Sequence, residues 1–315
     1  MPPLITLLLL ILSLALPANL HAADRQLRPC RNDQELRDWL QNMAWHRYDH
    51  HEMAMVTGLD EQEVVRKLKE FQIDVPTTAK KPTDRLLMLP YPGGRHPRIG
   101  FLEGAVDPWR ETKISVFCPW DDHSYVVADI PEAIWSNLGL TWLAHTHVPT
   151  IWDKQGIALP VSEWTKAKDG ALQNTWRLPN GIEFGTTARA ERDHVRMVMW
   201  LKNGTDQPLS DLRVQNCVML KGAAGFEPQT NENKRFEGRY SIAASPDKTR
   251  WIITGWSPID RAWGNAPCPC LHADPRFPDC APGETNTLHG WLSFYEGPDI
   301  DKELHRINAT NWFKP

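Results

Sequence analysis

Beyond its first twenty residues the chain has no apolar run long enough to cross a bilayer, which takes about 20 consecutive apolar residues. It has no excess of basic charge either. The formal net charge is -4, so the basic footprint of a nucleic-acid binder is missing and no nucleic-acid partner is expected. Internal repeats and low-complexity tracts are absent, which removes repeat architectures from consideration. Tyrosine is sparse at five residues, whereas tryptophan reaches fifteen. The amino-terminal segment contains no Lys or Arg before Arg25.

That segment, MPPLITLLLLILSLALPANLHAA, joins an apolar stretch from Leu4 to Leu16 to Pro17 and a small-residue exit at Ala22 and Ala23. The pattern is that of a cleaved secretory signal over residues 1–23, and the stretch is too short for a spanning helix. The expected location is secreted or periplasmic, with no stable membrane anchor after cleavage. About 290 residues then remain, enough for one large β domain or two ordinary ones.

All six cysteines, Cys30, Cys118, Cys217, Cys268, Cys270 and Cys280, lie in the mature chain. An even count in an exported protein points to disulfides. The stretch CPCLHADPRFPDC offers three thiols and His272 and superficially resembles a zinc knuckle. Its C-x-C spacing departs from the C-x2-C of a zinc ribbon, and an oxidising compartment favours disulfides over thiolates. A bond from Cys268 or Cys270 to Cys280 is expected, because so short a loop closes at little entropic cost. Cys118 and Cys217 are candidates for a second. No cofactor is expected, with a divalent metal kept as the alternative.

Three short helical patterns open the mature chain, at Asp33 to Met43, Tyr48 to Val56 and Glu61 to Phe71. Asp60 lies three residues before Glu63, a capping-box spacing, and Val64, Val65, Leu68 and Phe71 recur at helical intervals. MVTGLDEQEVVRKLKEF resembles a winged-helix helix-turn-helix, but export argues against a DNA role. The breaker-rich DVPTTAKKPTDR then marks a boundary. The expected division is a helical region over 24–75, a linker over 76–85 and a β domain over 86–315.

In the β domain the apolar period turns from helical to alternating. TKISVFC and SYVVADI read as strands, the latter ending at Pro131, and VRMVMWLKNGTDQPLSDLRVQNCVML reads as two strands joined across a polar turn. Val195, Met197, Met199 and Leu201 share one face of the first, and Leu212, Val214, Val218 and Leu220 one face of the second. GIEFGTT, TRWIITGW and TLHGWLSFYE add further strands, while Pro131 to Asn137 and Asp299 to Ile307 read as helical. So many strands with few helices between them predict a mainly β fold. It is a large antiparallel β-sandwich preceded by a small three-helix N-terminal region.

The strand-turn-strand VRMVMWLKNGTDQPLSDLRV and the turn before a late strand in APGETNTLHGWLSFYEG resemble galactose-mutarotase-like β-supersandwich domains of exported sugar-processing proteins. The resemblance covers about Arg98 to Gly297 and rests on turn chemistry. It implies a supersandwich fold. Mutarotase-type enzymes use a Glu base, a His acid and a sugar-holding Arg, but AHTHVPTIWD does not match their histidine signature, so no site is carried over.

The candidates for chemistry therefore come from the residues themselves. On a strand from Leu140 to Val148, His145 and His147 would share a face, placed to flank a substrate, bind a metal with a third ligand, or pack in the core. His46 and His50 at i, i+4 could chelate on a helix, though a solvated face explains them as well. The Gly- and Pro-rich HPRIGFLEGAVDPWRETK supplies Arg98 and Glu103 on a loop, the usual place to build a site. The acid-base group is expected to be His145, His147 and Glu103, with Arg98 and Trp152 holding substrate at a groove. Tryptophan suits sugar faces, stacking its ring while its N–H meets a hydroxyl, and it also suits a core.

Two functions from different classes stand. One is an exported carbohydrate-active enzyme, epimerase-, lyase- or hydrolase-like, acting on a carbohydrate or other polyhydroxylated ligand by His/carboxylate acid-base chemistry. The other is a non-catalytic carbohydrate-binding or structural surface module. Polar groups converging in a groove favour the first, and aromatics on an exposed flat face the second.

Overall fold

The computed structural model describes residues 27–96, 110–145 and 148–314. The signal segment, Arg98, Glu103 and His147 lie outside them. Helices α1 (Asp33–Trp45), α2 (His50–Thr57) and α3 (Glu61–Glu70) form the amino-terminal region. Each begins where a side chain accepts an orphan backbone N–H: Asn32 from Glu35, Asp49 from Glu52 and Asp60 from Glu63. Leu36, Leu40, Met43, Met53, Val64 and Leu68 bury themselves in one small core. Val65, expected on that face, is 46% exposed.

Fifteen strands follow in the described residues, in chain order β1 (Met88–Pro90), β2 (Lys113–Phe117), β3 (Tyr125–Ser136), β4 (Gly139–Leu143), β5 (Thr165–Lys166), β6 (Leu172–Arg177), β7 (Glu183–Ala190) and β8 (His194–Lys202). The rest are β9 (Val214–Met219), β10 (Lys234–Glu237), β11 (Tyr240–Ala244), β12 (Arg250–Ser257), β13 (Ile259–Trp263), β14 (Cys270–Pro275) and β15 (Thr285–Glu296). They make two antiparallel sheets. The smaller runs β1-β2-β3-β9-β14-β13 with β4 on β3, and the larger runs β10-β11-β12-β15-β8-β7-β6-β5. The fold is mainly β, as expected.

Alternation puts Val195, Met197, Met199 and Leu201 of β8 against Val126, Ala128 and Ile130 of β3 and Val214 and Val218 of β9, in one core between the sheets. β8 and β9, which follow one another in sequence, belong to different sheets, so the polar turn between them is a crossover and not a hairpin. Helix α4 (Ile300–Ala309) covers the outer face of the larger sheet with Ile300, Leu304 and Ile307. Much of the tryptophan is core: Trp142, Trp176, Trp256, Trp291 and Trp312 are buried. Two rings lie over glycines of the neighbouring strand, Trp256 over Gly290 and Trp200 over Gly185, where a Cβ would come within 2.7 Å and 2.9 Å of the indole.

Three local expectations fail. β3 continues through Pro131 to Ser136, and no helix forms at 131–137. The proline is tolerated because the ladder to β9 shifts register between Asp129 and Ala133, so no hydrogen bond is asked of it there. β4 ends at Leu143, which leaves His145 in the bend beyond the strand. Finally, no disulfide joins the six cysteines. Cys118 and Cys280 belong to the core between the sheets, whereas Cys217, Cys268 and Cys270 belong to the cluster on the outer face of the smaller sheet. The sheet itself therefore separates Cys280 from Cys268 and Cys270, and Cys118 from Cys217.

Candidate functional site

The outer face of the smaller sheet is where polar groups collect. Strand pairing sets Lys113 opposite Asp129 and Asp129 opposite Cys217. The β9-β14 register, Leu271 opposite Val218, places His272 opposite Cys217 one step further on, and Trp263 of β13 pairs with His272. A row of Lys113, Asp129, Cys217, His272 and Trp263 therefore crosses five strands on one face. Alternation alone would have made that face apolar or wet. Here it is buried, and the charges are paired.

Lys113 Nζ lies 2.7 Å from Asp129 Oδ2, with both side chains fully buried, and Thr112 donates to the other oxygen of the carboxylate. Burial pushes the Asp129 carboxyl up to about 6, against the pull of Lys113 and with the push of Glu132. The register shift around Pro131 takes Glu132 out of the ladder onto this same face. Its Oε1 lies 2.9 Å from His145 Nε2, and its Oε2 accepts from Gln215 Nε2 at 3.0 Å. His145, 2% exposed, also lies 3.7 Å from Asp129. Both contacts are made by Nε2, so one edge of the imidazole faces two carboxylates.

His272 faces Glu132 at 3.8 Å and stacks on Trp263, with ring centroids 4.1 Å apart. Its Nδ1 bonds the Asn216 carbonyl at 2.9 Å and its Nε2 lies 3.3 Å from Cys270 Sγ. Burial works against a charged ring, but Cys270, Glu132 and Asp274 outweigh it and raise the pKa to about 9. Trp263 Nε1 donates to Asp274 Oδ2 at 2.6 Å, which fixes the indole over the imidazole.

A pocket of about 410 Å³ opens beside these groups. Its polar wall is Glu132, Gln215, Asn265, His272 and Lys154, its aromatic wall Trp135 and Trp263, and its apolar floor Leu140, Leu143, Val148 and Pro149. A second pocket of similar volume, at Leu138, Asn180 and 204–209, offers Asp206 as its one ionisable residue. Chemistry belongs to the first. Carboxylate, imidazole and amide groups there can hold hydroxyls and move a proton, and the rings of Trp135 and Trp263 can take the flat face of a sugar.

Of the residues expected to act, His145 is in this cluster. Trp152 is not at a rim: it is 4% exposed, and its indole N–H donates to the Thr141 carbonyl within the core. His147, Glu103 and Arg98 lie outside the described residues. The pair His46 and His50 does not chelate, because His46 turns inward to bond Ser115 Oγ at 2.7 Å while His50 stays exposed. Asp121 serves its turn, accepting from the backbone of His123 and Ser124. Sequence reasoning missed Glu132, Gln215 and Trp263. Gln215 alternates with Cys217 on the outward face of β9, whereas Glu132 follows Pro131 within β3 and Trp263 lies on the edge strand β13, where no sequence period marks them.

No protein-family model matches the chain, and no curated protein matches it. Matches among solved structures include a proposed aldose 1-epimerase from Escherichia coli K12, 11% identical over 56% of this chain and 84% of that one, with a TM-score of 0.34. A proposed kojibiose phosphorylase from the human microbiome is 7% identical over 61% of this chain and 26% of that one, at a TM-score of 0.37. A heparan sulfate lyase mutant from Pedobacter heparinus is 8% identical over 82% and 43%, at 0.33. All three are described as sugar-processing proteins.

Proposed function

We propose that this is an exported carbohydrate-active enzyme that transfers a proton to or from a sugar in the pocket on the outer face of the smaller sheet. The observation that carries the reading is the convergence of Glu132, held on both oxygens, with His145 and Asp129 beside a pocket walled by two indoles. A carboxylate gripped at both oxygens is oriented before substrate arrives, which is what an acid-base group needs. Glu132 is the group at the pocket wall and the proposed catalytic carboxylate. His145 Nε2, 2.9 Å from one oxygen of Glu132, positions that carboxylate beside Asp129. Lys154 and Asn265 offer a cation and an amide to ring hydroxyls.

His147 joins the proposal because Leu143 and Val148, which flank it in sequence, both line the pocket. Glu103 and Arg98 are proposed as further acid-base and substrate contacts on sequence alone. Export to the periplasm or beyond rests on the signal pattern of residues 1–23.

The test is a panel of free sugars, glycosides and uronate-containing polysaccharides. Polarimetry, reducing-end assay and the ultraviolet absorbance of unsaturated products would read mutarotation, hydrolysis and elimination in turn. Turnover of one class is expected, falling about 10²–10⁴-fold in Glu132→Gln with the thermal midpoint nearly unchanged. Binding without turnover would identify a non-catalytic module, and full activity in Glu132→Gln would remove the proposed base.

A further inference from the structure

Cys217, Cys270 and His272 each present a donor atom within 4.8 Å of the other two, and all three are buried. Antiparallel pairing explains why they meet. His272 stands directly opposite Cys217, and Cys270 precedes His272 by two residues on the same face of β14. The same geometry disfavours a disulfide between the two cysteines. They are diagonal rather than opposite partners, and diagonal neighbours sit about 7–8 Å apart, beyond the roughly 4.4–6.8 Å between Cα atoms that a disulfide spans.

We propose that Cys217, Cys270 and His272 bind a zinc ion. Two sulfurs and one imidazole are the donor set that zinc favours. Ligands held about 2.0–2.3 Å from one tetrahedral ion stand roughly 3.3–3.8 Å apart, and Cys270 Sγ to His272 Nε2 is already 3.3 Å. The imidazole is prepared on its far side. Nδ1 bonds the Asn216 carbonyl, which can only accept, so Nδ1 keeps its proton and Nε2, the nitrogen that faces Cys270 Sγ, is the one that zinc would take in exchange for a proton. A metal-bound histidine anchored through its other nitrogen is the usual outer-shell arrangement. Trp263 stacked on the ring and bonded to Asp274 keeps that orientation.

Three protein ligands leave a fourth position for water or a substrate oxygen, as in catalytic rather than structural zinc sites. His272 walls the pocket, whereas Cys217 and Cys270 lie fully buried behind it. The site does not depend on the acid-base reading of Glu132.

The test uses the mature protein, purified under reducing conditions, stripped with chelator and titrated with Zn²⁺ alone. One equivalent is expected to bind, and Co²⁺ in its place should give a thiolate-to-metal charge-transfer band. Cys217→Ser and Cys270→Ser should each weaken zinc by more than the roughly 10–100-fold that losing an outer-shell partner costs. Cys280→Ser, on the other side of the sheet, should bind as the unaltered chain does. Should the serine variants fail to fold, thiol titration of the unaltered chain serves instead. Zinc is expected to protect two of its six thiols. No uptake by the reduced chain, uptake without thiol protection, or undiminished binding in both serine variants would overturn the proposal.

Discussion

Lys113 carries the clearest single-residue consequence. Its ammonium and the Asp129 carboxylate are both cut off from solvent and pair at 2.7 Å. Removing one partner leaves the other charged or forced to titrate in a dry setting, which costs about 3–5 kcal/mol. Lys113→Met should lower the unfolding free energy by that amount in a urea titration, and Lys113→Met/Asp129→Leu should recover a large part of it. An unchanged midpoint in the single variant would mean that water reaches the pair. His145 was legible as chemistry in the sequence because an imidazole in an apolar run must find polar partners. Its actual partner, Glu132, was not. A proline just before it reads as the end of a strand, and only the partner strand reveals that the ladder shifts there and turns Glu132 onto the same face as Asp129.

At the scale of elements, the junction of α1 with the smaller sheet encloses a histidine, and its stability is expected to depend on pH. His46 follows α1, bonds Ser115 on β2, and is enclosed by the rings of Tyr48, Tyr91, Phe117 and Tyr125 with Arg95 the nearby charge. Burial, and then Arg95, hold its pKa down at about 4. Between about 4 and its unfolded value near 6.5, the unfolded chain binds a proton that the folded chain refuses. The contribution is thus full above 6.5 and is lost as pH falls toward 4. His46→Gln should show a smaller loss of unfolding free energy from pH 7 to pH 4 than the unaltered chain, measured by denaturant titration at each pH. Equal losses would show that other groups govern the slope. The helices themselves were readable from Asp60 and the apolar spacing, within two residues at most ends. β14 was not, since CPCLHADP reads as a loop until β9 supplies its ladder.

For the whole molecule, alternation in β8 and β9 was enough to foresee two packed sheets, because a face of Val, Met and Leu has to be covered by another. The assignment of those strands to different sheets was not legible, since a polar turn looks the same whether the chain returns beside itself or crosses over. Nor was the second burial surface. The three amino-terminal helices read as a region set apart by a linker, yet Trp45, His46 and Arg95 tie them to the outer face of the smaller sheet, the face that bears Asp129 and His272. Burying that face is what forces the charges of the polar row to pair with one another. The most direct measurement is a structure of the protein with an oligosaccharide selected in the substrate panel. A sugar ring is expected against Trp135 or Trp263, with one of its oxygens or carbons at Glu132. A sugar bound at the pocket by Leu138 and Asn180, or on the larger sheet, would contradict it.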